Sequence, residues 1–210
     1  MKSQKKTNPS LLVLHTLLLL PLVMLPGAAF ADSTHISTGP VTNWSYGWKS
    51  SPTGTFTPFT LRMAYYGLPG WSYDPAASYP GYYPLVAFNN TNATTTYSGL
   101  NFRVPRQQLV LHPGNDAKAA TVRWTADGSG QYQIQGLFNG LDTCPTSVVY
   151  IVLNSATMLF TQTLNGPAVV TFNLSQALSP NDTLDFIVDN GGNGLWCDTV
   201  GLSAMITSLY

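Results

Sequence analysis

Hydrophobic and polar positions in the second half of the chain alternate with a period of two, as expected for strands buried on one face. Over residues 121–126, Val122 and Trp124 fall on one side while Arg123 and Thr125 fall on the other. Asp127-Gly128-Ser129-Gly130 is a turn signal, and residues 131–138 resume the alternation with Tyr132, Ile134 and Phe138 inward. These two runs read as a β-hairpin. Residues 148–153 form a near-continuous apolar run that turns at Asn154-Ser155 into Met158-Leu159-Phe160. After Asn165-Gly166-Pro167, Val170, Phe172 and Leu174 face inward. Residues 179–182 turn into residues 183–189, where Leu184, Phe186 and Val188 alternate with Asp185 and Asp189. A glycine loop, Gly191 to Gly194, carries Trp196 and Cys197, and a last strand spans 200–209.

The first half is less regular. Residues 32–57 are rich in Thr, Ser and Gly, with aromatics at Trp44, Tyr46 and Trp48 and a strand expected near 54–57. Between Tyr65 and Pro84, aromatic residues crowd among repeated Pro and Gly, which disfavour a regular central strand. This segment reads as a long aromatic loop, or two loops around a short edge strand. Residues 89–98 form a polar Asn/Thr connection. Beyond the N-terminus no segment keeps apolar residues at helical spacing for three turns. Short strands with one apolar face assemble as an all-β, antiparallel two-sheet β-sandwich. Jelly-roll and immunoglobulin-like topologies both fit the spacing.

The N-terminus changes the picture by fixing a compartment. Lys2, Lys5 and Lys6 precede a leucine-rich stretch, which ends in Pro26-Gly27 and the small-residue site Ala29-Phe30-Ala31. Residues 1–31 have the layout of a cleavable secretory signal, leaving 32–210 as one extracellular β-sandwich domain. The apolar run is shorter than the ~20 residues that span a bilayer and is broken by Pro21 and Pro26, so no membrane span is expected after cleavage. Downstream of the signal, six basic residues face nine aspartates and no glutamate. That net negative domain offers no basic surface to a phosphate backbone, which argues against nucleic acid. The two cysteines, Cys144 and Cys197, form an even pair in an oxidising compartment, so a disulfide is expected.

From Leu111 onward a set of short motifs stands in order: Leu111-His112-Pro113-Gly114, Arg123-Trp124-Thr125-Ala126, Gly130-Gln131-Tyr132, Gly140-Leu141-Asp142, Asn181-Asp182-Thr183-Leu184-Asp185-Phe186 and Asp198-Thr199-Val200-Gly201-Leu202. Over roughly the C-terminal half of the mature chain, this set resembles a domain of secreted bacterial proteins, many of which bear PEP-type C-terminal sorting signals. The resemblance implies a jelly-roll sandwich like that of carbohydrate-binding modules. It brings no catalytic residues.

Catalytic motifs are missing as well: the chain has no G-x-S-x-G, H-E-x-x-H or phosphate-binding glycine pattern. Only aspartates could supply the carboxyl pair of a glycoside hydrolase. Asp185 and Asp189 read as a solvated strand face, and Asp142 and Asp198 as loop aspartates bonded to nearby amides. His112 reads as a structural imidazole bonded to a neighbouring loop. No cofactor is expected, although Asp182, Asp189, Asn190, Asn193 and Asp198 could hold a structural calcium ion.

Sugars lay their C–H faces on aromatic rings, so Tyr65, Tyr66, Trp71, Tyr73, Tyr82 and Tyr83 are the candidate ligand-binding residues. Covering one sheet face is the competing role for those rings. The sequence thus predicts a secreted, non-catalytic module that binds polysaccharide or another cell-surface polymer. A structural surface protein without a specific ligand is the alternative from another class, and an aspartate-dependent hydrolase is a third.

Overall fold

A strand with one apolar face needs a second layer to cover it, and this chain supplies two stacked antiparallel sheets. The computed structural model describes residues 28–30, 43–73, 82–97, 102–115, 117–144, 146–194 and 196–209. The strands are β1 (Ala28–Phe30), β2 (Trp44–Lys49), β3 (Thr57–Pro58), β4 (Leu61–Tyr65), β5 (Leu68–Ser72), β6 (Leu85–Phe88), β7 (Thr95–Thr96) and β8 (Arg103–Val104). They continue as β9 (Leu109–His112), β10 (Ala119–Thr125), β11 (Gly130–Gly140), β12 (Val148–Leu153), β13 (Thr157–Thr163), β14 (Val169–Leu178), β15 (Thr183–Asp189) and β16 (Val200–Leu209). One sheet runs β14-β11-β16-β9-β6-β5-β4, and the other runs β13-β12-β15-β10-β2-β3. No described residue is helical, and none belongs to a helix long and apolar enough to cross a membrane.

The topology settles what spacing left open. Counting the eight strands from β9 to β16, one sheet carries the first, eighth, third and sixth. The facing sheet carries the second, seventh, fourth and fifth. That interleaving is the jelly roll. Strands β6, β5 and β4 widen one sheet beyond β9, while β2 and β3 widen the other beyond β10. The predicted leader lies outside the described residues except at β1, which pairs with the far half of β16 at Ala28↔Thr207.

The core lies between the layers. Trp124, Val122, Phe186, Leu184, Val188 and Ile151 from one sheet meet Tyr132, Ile134, Phe138, Phe172, Leu202 and Ile206 from the other. Of the inward residues expected from alternation, Val122, Trp124, Tyr132, Ile134, Phe138, Phe172, Leu184, Phe186 and Val188 are buried, while Val170 and Leu174 are half-buried against the core. A second apolar cluster covers the outer face of the β9-side sheet, where Tyr65, Leu68, Leu85, Val110, Phe102 and Leu141 pack under the β7–β8 ribbon.

Three expectations need correction. First, residues 121–126 and 131–138 are not a hairpin. β10 pairs with β2 and β15, whereas β11 pairs with β14 and β16, so the turn between them crosses from one sheet to the other. Trp124 and Tyr132 meet across the core, ring centroids 5.4 Å apart.

Second, Asp185 does not lie on a solvated face. It is fully buried, accepting bonds from Lys49 Nζ at 2.7 Å and from Arg123 Nε and Nη2 at 2.6 and 2.8 Å. The Ser155 hydroxyl bonds the same carboxylate.

Third, the first part of the aromatic segment is strand. β4 and β5 form a hairpin closed by Tyr66 (φ 48°) and Gly67 (φ 84°), the left-handed pair that a two-residue turn requires. Pro69 is tolerated in β5 because the ladder to β6 covers only Gly70 to Ser72.

Candidate functional site

Hairpin parity divides the six candidate rings. Tyr65 sits on the outer face of its sheet and is buried. Its ring packs against Tyr66, Phe102 and His112, and its hydroxyl shares a hydrogen bond with Thr199 Oγ1 at 3.2 Å. Burial raises the Tyr65 phenol far above its ordinary pKa. Tyr66 packs against Tyr97 and Phe102 in the same cluster. These two rings cover a sheet face.

Trp71 and Tyr73 belong to the opposite face. Both pack against the main core, where the β5 side of one sheet meets β2 of the other. The Arg62 guanidinium stands 5.0 Å from the centre of the Trp71 ring, and the indole Nε1 is buried. Trp71 thus stands on a strand, half-buried against the core, and not in a loop. Tyr73 lies 5.7 Å from Trp48 and 5.1 Å from Tyr83, and Tyr83 in turn lies 5.2 Å from Tyr82. Lys118 Nζ lies about 5 Å from the centres of both the Trp48 and Tyr73 rings and donates to the Tyr73 hydroxyl at 3.3 Å.

The result is a tilted cluster of Trp48, Tyr73, Tyr83 and Tyr82 along one edge of the sandwich, with Tyr82 44% exposed. Interplanar angles of 52°, 59° and 84° show that the rings are not coplanar. Three of the six predicted residues, Tyr73, Tyr82 and Tyr83, thus belong to this cluster, and Trp71 is half-buried beside it. Sequence reasoning missed Trp48 and Lys118. The alternating aromatics Trp44, Tyr46 and Trp48 were the available signal for the first, and nothing local marked the second.

The same end of the sandwich carries the disulfide, since the start of β10 just after Lys118 pairs with the end of β15. Cys144 and Cys197 are bridged with Cα atoms 5.4 Å apart, as their pairing in the sequence implied. Trp196, beside the bridge, is 67% exposed. Two aspartates brace these loops. Asp142 Oδ2 accepts from the Thr199 amide at 2.8 Å, and Asp198 Oδ1 accepts from Ser147 Oγ at 3.1 Å and the Thr146 amide at 3.4 Å. Burial raises both carboxyl pKa values, and the charges of Asp142 and Asp189 help push Asp198 to about 6.

A cleft of about 550 Å³ opens beside them, lined by Arg103, Asn139, Leu141 and Asp142 among others. Asp198 is sealed from solvent, so of this pair only Asp142 faces the cleft. A hydrolytic carboxyl pair must flank a bound substrate, and this arrangement does not provide one. His112 is buried with Nδ1 2.7 Å from the Pro113 carbonyl, and burial lowers its pKa to about 4. It is a structural imidazole.

Of the proposed calcium residues, Asp182 stands apart from the others. β15 separates Asp182 from Asp189 by the length of a seven-residue strand, roughly 20 Å. Asp182 instead bonds Ser179 and Asn154 at the far end. Asp189 and Asn190 accept from the amides of Gly191 and Gly192, and Asn193 bonds Thr146. Among the described residues no group of three or more His, Cys, Asp or Glu is placed to hold a metal ion.

No protein-family model and no curated protein matches the chain. Among solved structures it is similar to the CBM51 of Clostridium perfringens GH95, solved with methyl-galactose, at 13% identity and TM-score 0.39, covering 58% of this chain and 87% of that one. It is also similar to a family 35 carbohydrate binding module from Clostridium thermocellum, at 12% identity and TM-score 0.35, covering 60% of this chain and 98% of that one. Pika GITRL matches at 18% identity and TM-score 0.29, covering 43% of this chain and 77% of that one.

Proposed function

We propose that the protein is an extracellular, non-catalytic jelly-roll module that binds polysaccharide through the edge formed by Trp48, Tyr73, Tyr82 and Tyr83. The observation that carries this reading is the run of neighbouring rings that remains partly open to solvent, with the Lys118 ammonium at its margin. Rings supply C–H contact at low conformational cost, and the phenol and ammonium groups offer donors to sugar hydroxyls. The signal-like N-terminus and the disulfide fit an oxidising, extracellular setting. The motif resemblance over the C-terminal half points the same way.

Affinity electrophoresis on soluble glucans, xylans and mannans tests the reading. The wild-type protein should be retarded by at least one of them. Tyr82→Ala and Tyr83→Ala should weaken that retention by more than tenfold, since truncating a central ring commonly costs upward of ~2 kcal/mol. Both variants should keep the parent's thermal melt. Retention that survives both substitutions would locate binding elsewhere, and no retention on any glycan would favour the structural alternative.

A further inference from the structure

The two lateral edges of the sandwich are built differently. On the ring side the sheets end in β4, which presents the exposed cation Arg62, and in β3, two residues long and containing Pro58. Short strands, prolines and charges are the devices that keep a sheet edge from pairing with another chain. On the opposite side the sheets end in β13 and β14, seven and ten residues long. Neither contains a charged residue or a proline. Val169 is 58% exposed and Met158 41% exposed along this side. Among the described residues β14 is paired only with β11, so its other side presents a row of backbone donors and acceptors.

We infer that β14 pairs antiparallel with β14 of a second copy of this chain, making a two-fold dimer in which the β14-bearing sheet runs on from one protomer to the next. The strand is self-complementary in this arrangement. A two-fold axis through Asn173 places Phe172 opposite Leu174, Thr171 opposite Ser175, Val170 opposite Gln176 and Val169 opposite Ala177. Inward residues meet inward residues and outward residues meet outward ones, as the pleat demands. Every pair is uncharged, so nothing repels at the axis. A second copy is the occupant that pairs residues 169–177 in one continuous register with no charge along it. The two ring-bearing edges would then stand at opposite ends of the assembly, separated by some fourteen strands or roughly 60 Å, able to engage a polymer at two points.

Sedimentation velocity of the untruncated purified protein over a concentration series tests the inference, alongside hydrogen exchange of the β14 amides. The expected result is a reversible monomer–dimer equilibrium, with protection of β14 that rises with protein concentration. Asn173→Lys sets two ammonium groups against each other on the axis and should raise the dimer dissociation constant at least tenfold. Ser203→Lys adds the same charge to the exposed face of β16, an interior strand, and should leave association unchanged. If Asn173→Lys fails to melt cooperatively, the Thr171→Lys/Ser175→Lys pair takes its place. A monomer at all concentrations, a dimer indifferent to the β14 lysines, or a dimer equally disrupted by Ser203→Lys would each overturn the inference. None of these readouts involves a glycan, so a failed polysaccharide assay has no bearing on dimerisation.

Discussion

Replacing Asp198 with asparagine should make the protein more stable at neutral pH, and the gain should vanish in mild acid. Asp198 is fully buried beside the disulfide; one oxygen accepts two hydrogen bonds and the other, Oδ2, has no partner. Burial, with the charges of Asp142 and Asp189, raises its pKa from 3.8 to about 6. A raised carboxyl pKa means that the folded state holds the proton more tightly than the unfolded chain does. The group's contribution to stability is therefore most favourable below about pH 4, falls as pH rises toward 6, and is flat above that. A shift of about two units corresponds to ~3 kcal/mol at neutral pH. Asparagine keeps the accepting oxygen for Ser147 and Thr146, but the amide that replaces Oδ2 finds no acceptor, which costs ~1–2 kcal/mol of the gain. The net expectation at pH 7.5 is ~1–2 kcal/mol of stabilisation, shrinking below pH 5 as the parent's own carboxyl becomes neutral. Urea unfolding of both proteins at pH 4, 5, 6 and 7.5 provides the difference curve, in which every other titrating group largely cancels. An Asp198→Asn protein that is less stable at pH 7.5, or a difference that does not change with pH, would refute the reasoning.

Other outcomes can be measured in the same unfolding assay. Phe186→Ala removes a fully buried ring from between the sheets and should cost ~3–5 kcal/mol. Asp185→Ala strands the buried Lys49 ammonium beside Arg123 and should cost a similar ~3–5 kcal/mol, whereas a surface aspartate would cost almost nothing. Cys197→Ser opens a loop with a sequence separation of 53 and should cost about 4 kcal/mol, with no further loss on adding reductant.

The strands from β10 to β16 are legible in the sequence because each carries a turn signal and one apolar face. Layer assignment is not. Alternation says which residues point inward, but an inward residue looks the same whether its neighbour in sequence lies beside it or across the core. Trp124 and Tyr132 satisfy both descriptions, and only the pairing of β10 with β2, some seventy residues earlier in the chain, decides between them. Asp185 escapes for a related reason. Its outward parity is plain from the alternation, yet the Lys49 that buries it is 136 positions away. Gly70 misleads in the other direction. Its Pro-rich surroundings suggest a loop glycine, but a Cβ there would stand 2.7 Å from the Val86 carbonyl, so it marks a tight approach of two strands.

The divided fate of the aromatic residues follows from one turn. With Tyr66 and Gly67 closing the hairpin, Tyr65 is paired with Leu68 and Arg62 with Trp71. Residues opposite each other share a face, and the period of two puts odd and even positions of β4 on opposite faces. Tyr65 therefore has to leave the face that holds Trp71, whatever the composition of the segment. Trp71 in turn receives Arg62 over its ring. A loop has no such parity, which is why a loop reading gathers all six rings into one platform. Tyr73, Tyr82 and Tyr83 lie beyond the paired part of the hairpin, where parity no longer dictates position, and they reach Trp48 on the facing sheet. The ring edge is thus assembled across the two layers at the place where β5 passes β2, and no window of sequence contains it.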